Sequence, residues 1–212
     1  MVTPSADTRT ALLRAAIEIA EADGVGAIGL REAARRAGLT HGAPYRHFDS
    51  QRSLVAAVAE HGFKLLMAEV QAAQAAAGAD VLARFHAIGV AYLRFALAHP
   101  GQFRIMFGAE AATEPAVRSA EAAVFALAVN EIASAQRRGL IAAGDPQELA
   151  LLAWSTGHGL AVLMIDGLVQ WVGLDTSAPE RLARRITALM FNGLQHGIPK
   201  AAGRRSIARS AA

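Results

Sequence analysis

The sequence predicts an all-α protein of about nine helices, divided three plus six. Apolar residues recur at helical spacing along most of the chain, and no stretch alternates apolar and polar residues as a half-buried strand does. Hydrophobic residues make up 53% of the 212, enough for a sizeable core and too many for a disordered chain. Glycine and proline fall between the periodic stretches, where helices end and begin. The length suits one medium domain or a small domain joined to a larger one.

The first helix is expected over residues 8–22, with Leu12, Leu13, Ala16, Ile17 and Ala20 on one face. Asp23 and Gly24 stop it, and Val25 and Ile28 tuck inward as a linker. Residues 30–54 then read LREAARRAGLTHGAPYRHFDSQRSL. A second helix is expected over 30–37, where Ala33 and Ala34 let another helix approach closely. Gly38 supplies a turn, and Thr40 is placed to cap a third helix over 41–48 with its hydroxyl. Pro44 lies inside that third helix, where proline loses a backbone bond, so the helix begins late or is irregular.

Ser50 caps a long fourth helix to about residue 75, with Leu54, Val55, Val58, Phe63, Leu66 and Val70 in its apolar stripe. Residues 77–80, AGAD, break the chain. Helices follow over Val81–Ala98, ended by His99, Pro100 and Gly101, and over a short stretch at 103–108. Pro115 opens another to about 138, closed by Gly139. Pro146 opens one to about 172, and Pro179 the last, to about 195. Residues 197–212 are basic and lack a core face, as expected of a mobile tail. No internal repeat is found.

The order helix, glycine turn, short helix is the layout in which a second helix enters the DNA major groove. Thr40, His41, Tyr45, Arg46 and His47 then lie where DNA would be. An ordinary helical corner has no need to expose Tyr45, Arg46 and His47 together. The Tyr45 ring can serve packing with its hydroxyl at the rim, or the hydroxyl can meet a phosphate. Phe48 belongs to the core. A solvated face accounts for Arg35 and Arg36 as well as DNA contact does.

The formal net charge of +3 is a poor guide to DNA binding. Seven basic residues and no acid follow Glu180, so the first 180 residues carry 14 basic and 18 acidic residues. Placement is more informative: residues 31–52 hold five arginines against Glu32 and Asp49. The basic tail could add nonspecific attraction to DNA through counterion release, or be a solvated terminus.

Several classes are excluded. Without cysteine there are no disulfides or thiolate metal sites, and the composition fits a reducing cytoplasm. The N-terminal MVTPSADTRTALL lacks the basic-then-apolar order of a signal peptide. Residues 149–165 are uncharged, but His158, Asp166, Gln170 and three glycines are disfavoured in lipid, so a helix buried between helices is expected and no membrane partner. No paired carboxylates share a helix face, no nucleophile has a local base, and no glycine loop cradles phosphate, so the chain is read as a non-enzyme. Nothing implies a cofactor. No His or carboxylate stands three or four residues after His158, and Asp166 is two turns away, so no metal site is expected.

The segment LREAARRAGLTHGAPYRHF, with a helix before it and a capped long helix after it, resembles the TetR family of bacterial transcriptional regulators over roughly residues 8–58. WSTGHG at residues 154–159, with Trp154, His158 and Gly159, is similar to the Trp-x-x-x-His-Gly signature of one C-terminal domain type in that family. The resemblance implies an all-helical homodimer, with three N-terminal helices on DNA and a ligand pocket and dimer interface in the remainder. This divides the chain into a helix-turn-helix domain (8–53), a helical effector-binding and dimerisation domain (54–196) and the tail (197–212).

Carried onto this sequence, Arg31 faces bases or phosphates, and Thr40, His41, Gly42 and Ala43 lie at the groove-facing start of the third helix. Tyr45 and His47 contact phosphates beside Arg46, and Gln51 or Arg52 meets the backbone. Phosphate contacts set position and base-edge contacts specify sequence; His41 can donate to guanine and Ala43 can touch a thymine methyl. Gly29 stands where the family usually has Ser or Thr, so one hydroxyl contact to phosphate is missing.

The aromatics Phe85, Tyr92, Phe95, Phe103, Phe107, Phe125 and Trp154, with Met106, are core residues or line a small-molecule pocket, with Tyr92 and His158 as polar groups. His158 fits either a buried, hydrogen-bonded histidine or a ligand contact. Gly157, Gly159, Ala161, Gly167 and Gly193 permit close helix packing, so the last two long helices are expected to form an isologous dimer interface.

Such a dimer would bind a near-palindromic operator in double-stranded DNA. The expected function is a ligand-responsive regulator in the cytoplasm, a repressor released by a small apolar effector. The alternatives are an architectural DNA-binding protein without effector, or an activator.

Overall fold

Capping side chains and N-terminal prolines set most of the helix starts. Ser50 accepts from the Ser53 amide while the Ser53 hydroxyl accepts from the Ser50 amide, both at 3.2 Å. Asp80 caps the helix that follows it through the Leu82 amide at 2.9 Å, and Asp145 does the same through Gln147 at 2.8 Å. Among the described residues proline stands first in five helices, where its missing N–H costs nothing.

The computed structural model describes residues 4–173 and 177–196; the tail expected at 197–212 lies outside the described residues. Among these residues the fold is all-helical, with α1 (Pro4–Asp23), α2 (Leu30–Arg36), α3 (Gln51–Ala76), α4 (Val81–Ala98), α5 (Pro100–Met106), α6 (Pro115–Arg137), α7 (Pro146–Ile165) and α8 (Pro179–His196). Short 3-10 turns occupy Val25–Ala27, Pro44–Arg46, Ala111–Thr113 and Gln170–Val172.

Three expected elements are corrected. The third helix is not an α-helix: residues 41–42 form a turn and only Pro44–Arg46 winds, as a 3-10 turn. Pro44 has no N–H to donate, and the bonds here run mostly three residues back, from Ala43 to the Thr40 carbonyl and from His47 to the Pro44 carbonyl. The Thr40 hydroxyl therefore caps nothing.

The short helix expected at 103–108 starts earlier, at Pro100, because the Glu21 side chain of α1 caps it from outside. Its oxygens accept from the Gly101 and Gln102 amides at 2.8 and 2.9 Å. The helix expected to reach residue 172 ends at Ile165. Gly167 takes a φ of +69°, and the Gly167 and Leu168 amides turn back to the Met164 and Leu163 carbonyls.

α3 is the spine, packed against α1, α4, α5 and α6. Leu12, Ala16, Ile19, Ala33, Leu54, Val58, Phe63 and Leu66 share one buried cluster along it. A smaller cluster at the far end holds Val81, Phe85, Ile132, Phe191 and Leu194. Between them the buried Glu131 of α6 accepts from Gln74 of α3 at 2.9 Å and from Arg84 of α4 at 2.8 Å, which pairs a carboxylate that could not be left alone. α5 lies so close to α1 that a side chain at Gly101 would fall on the Ala20 carbonyl.

α4 and α7 are each long and apolar enough, by length and composition, to cross a membrane. They differ in burial: 39% of the apolar stretch is buried for α4 and 11% for α7. Leu152, Val162 and Leu163 of α7 and Leu189 of α8 are exposed on the protomer.

Candidate functional site

The N-terminal surface is built on close packing of alanines. Ala15, Ala16 and Ala20 of α1 and Ala33 and Ala34 of α2 are all buried in one core cluster, where α1 and α2 pack together. Gly38, at φ +66°, makes the turn after α2, where a side chain would be strained. Pro44 and Phe48 anchor the next segment in the core, while His41, Gly42, Tyr45 and Arg46 stay exposed, Tyr45 at 50%. His47 and Ala43 are half-buried, and Thr40, Arg31 and Gln51 are exposed. The guanidinium of Arg9 lies over the Phe48 ring, 5.2 Å from its centre.

The cationic patch is smaller than the arginine count suggests. Arg35 forks onto Glu32, with Nε 2.8 Å from Oε2, and Arg36 pairs with Glu32 and Asp23. The Arg35 hydrogen bond, foremost, holds the Glu32 carboxyl down at about 2. Arg52, expected on the DNA backbone, donates instead to Glu114 at 2.8 Å and to Thr113, tying the start of α3 to the start of α6. Among the described residues of this segment, Arg31 and Arg46 are the arginines without an acidic partner.

Farther along α3 lies a cavity of about 670 Å³ among α3, α4, α6, α7 and α8, within the size range of small-molecule sites. Phe85, Tyr92, Phe107, Phe125 and Trp154, all singled out in the sequence, line it. Phe95, Phe103 and Met106 do not; they are fully packed in the core around α3. Helical spacing places an aromatic on an apolar face without saying whether a void lies beyond it.

His158 stands behind the wall rather than in it. Its Nδ1 pairs with the Tyr92 hydroxyl at 2.8 Å, and Trp154 Nε1 donates to the same hydroxyl at 3.2 Å. The imidazole stacks on Phe103 at 5.3 Å and meets the Phe107 ring edge-on at 4.7 Å. Burial lowers the His158 pKa, favouring the neutral ring, and raises that of the Tyr92 phenol.

The sequence reading missed Arg118, Glu121 and Glu148, which also line the cavity. They sit on long helices where charges read as a solvated face. It also missed Glu21 and Glu114, whose partners lie 62 or more residues away in the chain.

Two protein families match the chain. Residues 12–58 match the "Bacterial regulatory proteins, tetR family" and residues 85–190 the "Tetracyclin repressor-like, C-terminal domain". No curated protein matches. Among solved structures, a protein with unknown function from Rhodococcus sp. RHA1 is 34% identical, with 89% of this chain and 95% of that chain covered and a TM-score of 0.79. A bacterial regulatory protein in the TetR family from Rhodococcus RHA1 is 21% identical, with 88% and 96% covered and a TM-score of 0.68. The fatty acid degradation regulator FadR from Bacillus halodurans is 13% identical, with 92% and 98% covered and a TM-score of 0.71. The last two are likenesses of fold.

Proposed function

The chain belongs to the TetR family of DNA-binding transcriptional regulators, which are not enzymes, and from that premise we propose that it is a ligand-responsive repressor. A homodimer places two helix-turn-helix units (8–53) on a palindromic operator in the cytoplasm. A small apolar effector in the C-terminal unit (54–196) releases it.

One observation carries the switch. α3 begins beside the exposed turn holding Tyr45 and Arg46, and the same helix supplies Phe63 and Leu66 to the cavity wall. A ligand that moves the cavity end of α3 therefore changes the separation of the two DNA-facing turns. Only one separation fits successive major grooves, and the ligand acts through its different affinity for the two states.

The proposed DNA contacts are Arg31, Thr40, His41, Gly42, Ala43, Tyr45, Arg46, His47 and Gln51. Arg52 joins them if it leaves Glu114. The dimer interface is assigned to α7 and α8, because α7 is strongly apolar yet little buried in the protomer and a second copy covers it.

Selection of bound duplexes from random DNA, at a fixed salt concentration, tests the reading. A palindromic motif is expected, and Tyr45→Phe should weaken binding to it about fivefold, the size of one hydrogen bond. Salt-sensitive binding without a motif would favour an architectural protein, and no binding at all would refute the central reading.

A further inference from the structure

We infer that the cavity selects an organic cation: a compound with an apolar or aromatic body and a positive centre held by Glu121. This rests on the reading of the cavity as the effector site and names the chemical class it takes. The argument comes from which hydrogen-bonding groups in the wall are engaged and which are free.

The donors in the wall are largely engaged. Trp154 donates to Tyr92, and with His158 Nδ1 accepting, both functions of the Tyr92 hydroxyl are in use. The Thr156 hydroxyl donates to the Leu152 carbonyl at 2.9 Å and the Thr187 hydroxyl to the Ala183 carbonyl at 2.7 Å. A carboxylate or carbonyl on a ligand would therefore find its donors at the exposed Arg118 and Gln147.

The acidic side is open. Glu121 lines the cavity, is partly buried, and forms no hydrogen bond or ion pair with any described side chain. Burial raises its pKa, the mark of a carboxylate losing water without gaining a partner. At the exposed rim, Asp145, which also caps α7, and Glu148 add two more carboxylates beside Arg118. Phe85, Tyr92, Phe107, Phe125 and Trp154 complete the wall, and aromatic rings can attract cations through their faces. A cation thus gains both a counter-charge and a π-lined surface, whereas an anion meets a net negative lining.

The test uses three probes of similar shape and different charge: tetraphenylphosphonium, tetraphenylborate and neutral triphenylphosphine oxide. Each is titrated calorimetrically into the purified protein at one salt concentration. The phosphonium is expected to bind about tenfold or more tighter than the borate. Glu121→Gln should reduce phosphonium affinity about tenfold and affect the oxide far less. Equal affinities, or preference for the borate, would overturn the charge selection while leaving the cavity a ligand site. If a protein shown to be folded by its thermal transition bound none of the three, the inference and the effector reading would both fall.

Discussion

The packing beneath the exposed turn at residues 41–47 and the packing around the cavity differ in the size of the residues that meet. Under the turn, alanines of α1 and α2 are buried in one common core cluster. At the cavity, Phe85, Phe107, Phe125 and Trp154 converge from four segments and leave about 670 Å³ between them. Small side chains let helix backbones lock together, which holds an exposed turn in one place. Around the cavity the large rings leave unfilled space, so packing there is given up for a volume that a ligand can occupy. The protein is tightly packed beneath the exposed turn and under-filled at the cavity.

The contrast is sharpest in aromatic truncation. Phe95→Ala, in the filled core, should cost about 3–5 kcal/mol, whereas Phe125→Ala, already facing open space, should cost about 1 kcal/mol. Urea unfolding measures both, and equal losses would mean that the cavity is closed in solution.

Glycines give the next largest effect. At Gly101 an added Cβ meets the α1 backbone, so Gly101→Ala should cost about 1–3 kcal/mol and loosen the joint between α1 and α5. At Gly159 an added Cβ meets nothing in the protomer. Gly159→Leu should leave the protomer folded and shift sedimentation from dimer to monomer. A persistent dimer would move the interface off this face of α7.

The smallest effect is a pH dependence at the cavity. Burial lowers the pKa of His158 in the folded state, so the unfolded chain takes up its proton first, near the ordinary value of 6.5. Its contribution to stability is complete above that value and declines as pH falls below it. His61 and His86 are lowered in the same direction, also by burial. The informative measurement is therefore the difference in Tm between the protein and His158→Gln from pH 7 to 5. A difference that did not change with pH would remove His158 from the account.

The candidate site was unevenly legible in the sequence. The exposed surface proposed to meet DNA could be read as a surface because it lies within one continuous segment, where Tyr45 and Arg46 stay exposed between buried Pro44 and Phe48. The ion pairs that reduce the patch were less visible: Arg36 with Asp23 and Arg52 with Glu114 join distant parts of the chain. The aromatic lining was legible as a set, but its division into wall and core was not. Phe103 and Phe107 lie one turn apart on the same apolar face, yet only Phe107 reaches the void.

By itself the sequence determined the helical class, the positions of most helices and the irregular winding around Pro44. These depend on periodicity, caps, glycines and prolines, whose energetics act over a few residues. Only the tertiary structure decided where α5 begins and where the cavity opens with an unpaired Glu121 inside it. Those outcomes depend on distant partners: Glu21 reaching α5, and five helices whose side chains fail to fill the space between them. Packing is a sum over neighbours that are distant along the chain, and no local pattern encodes it.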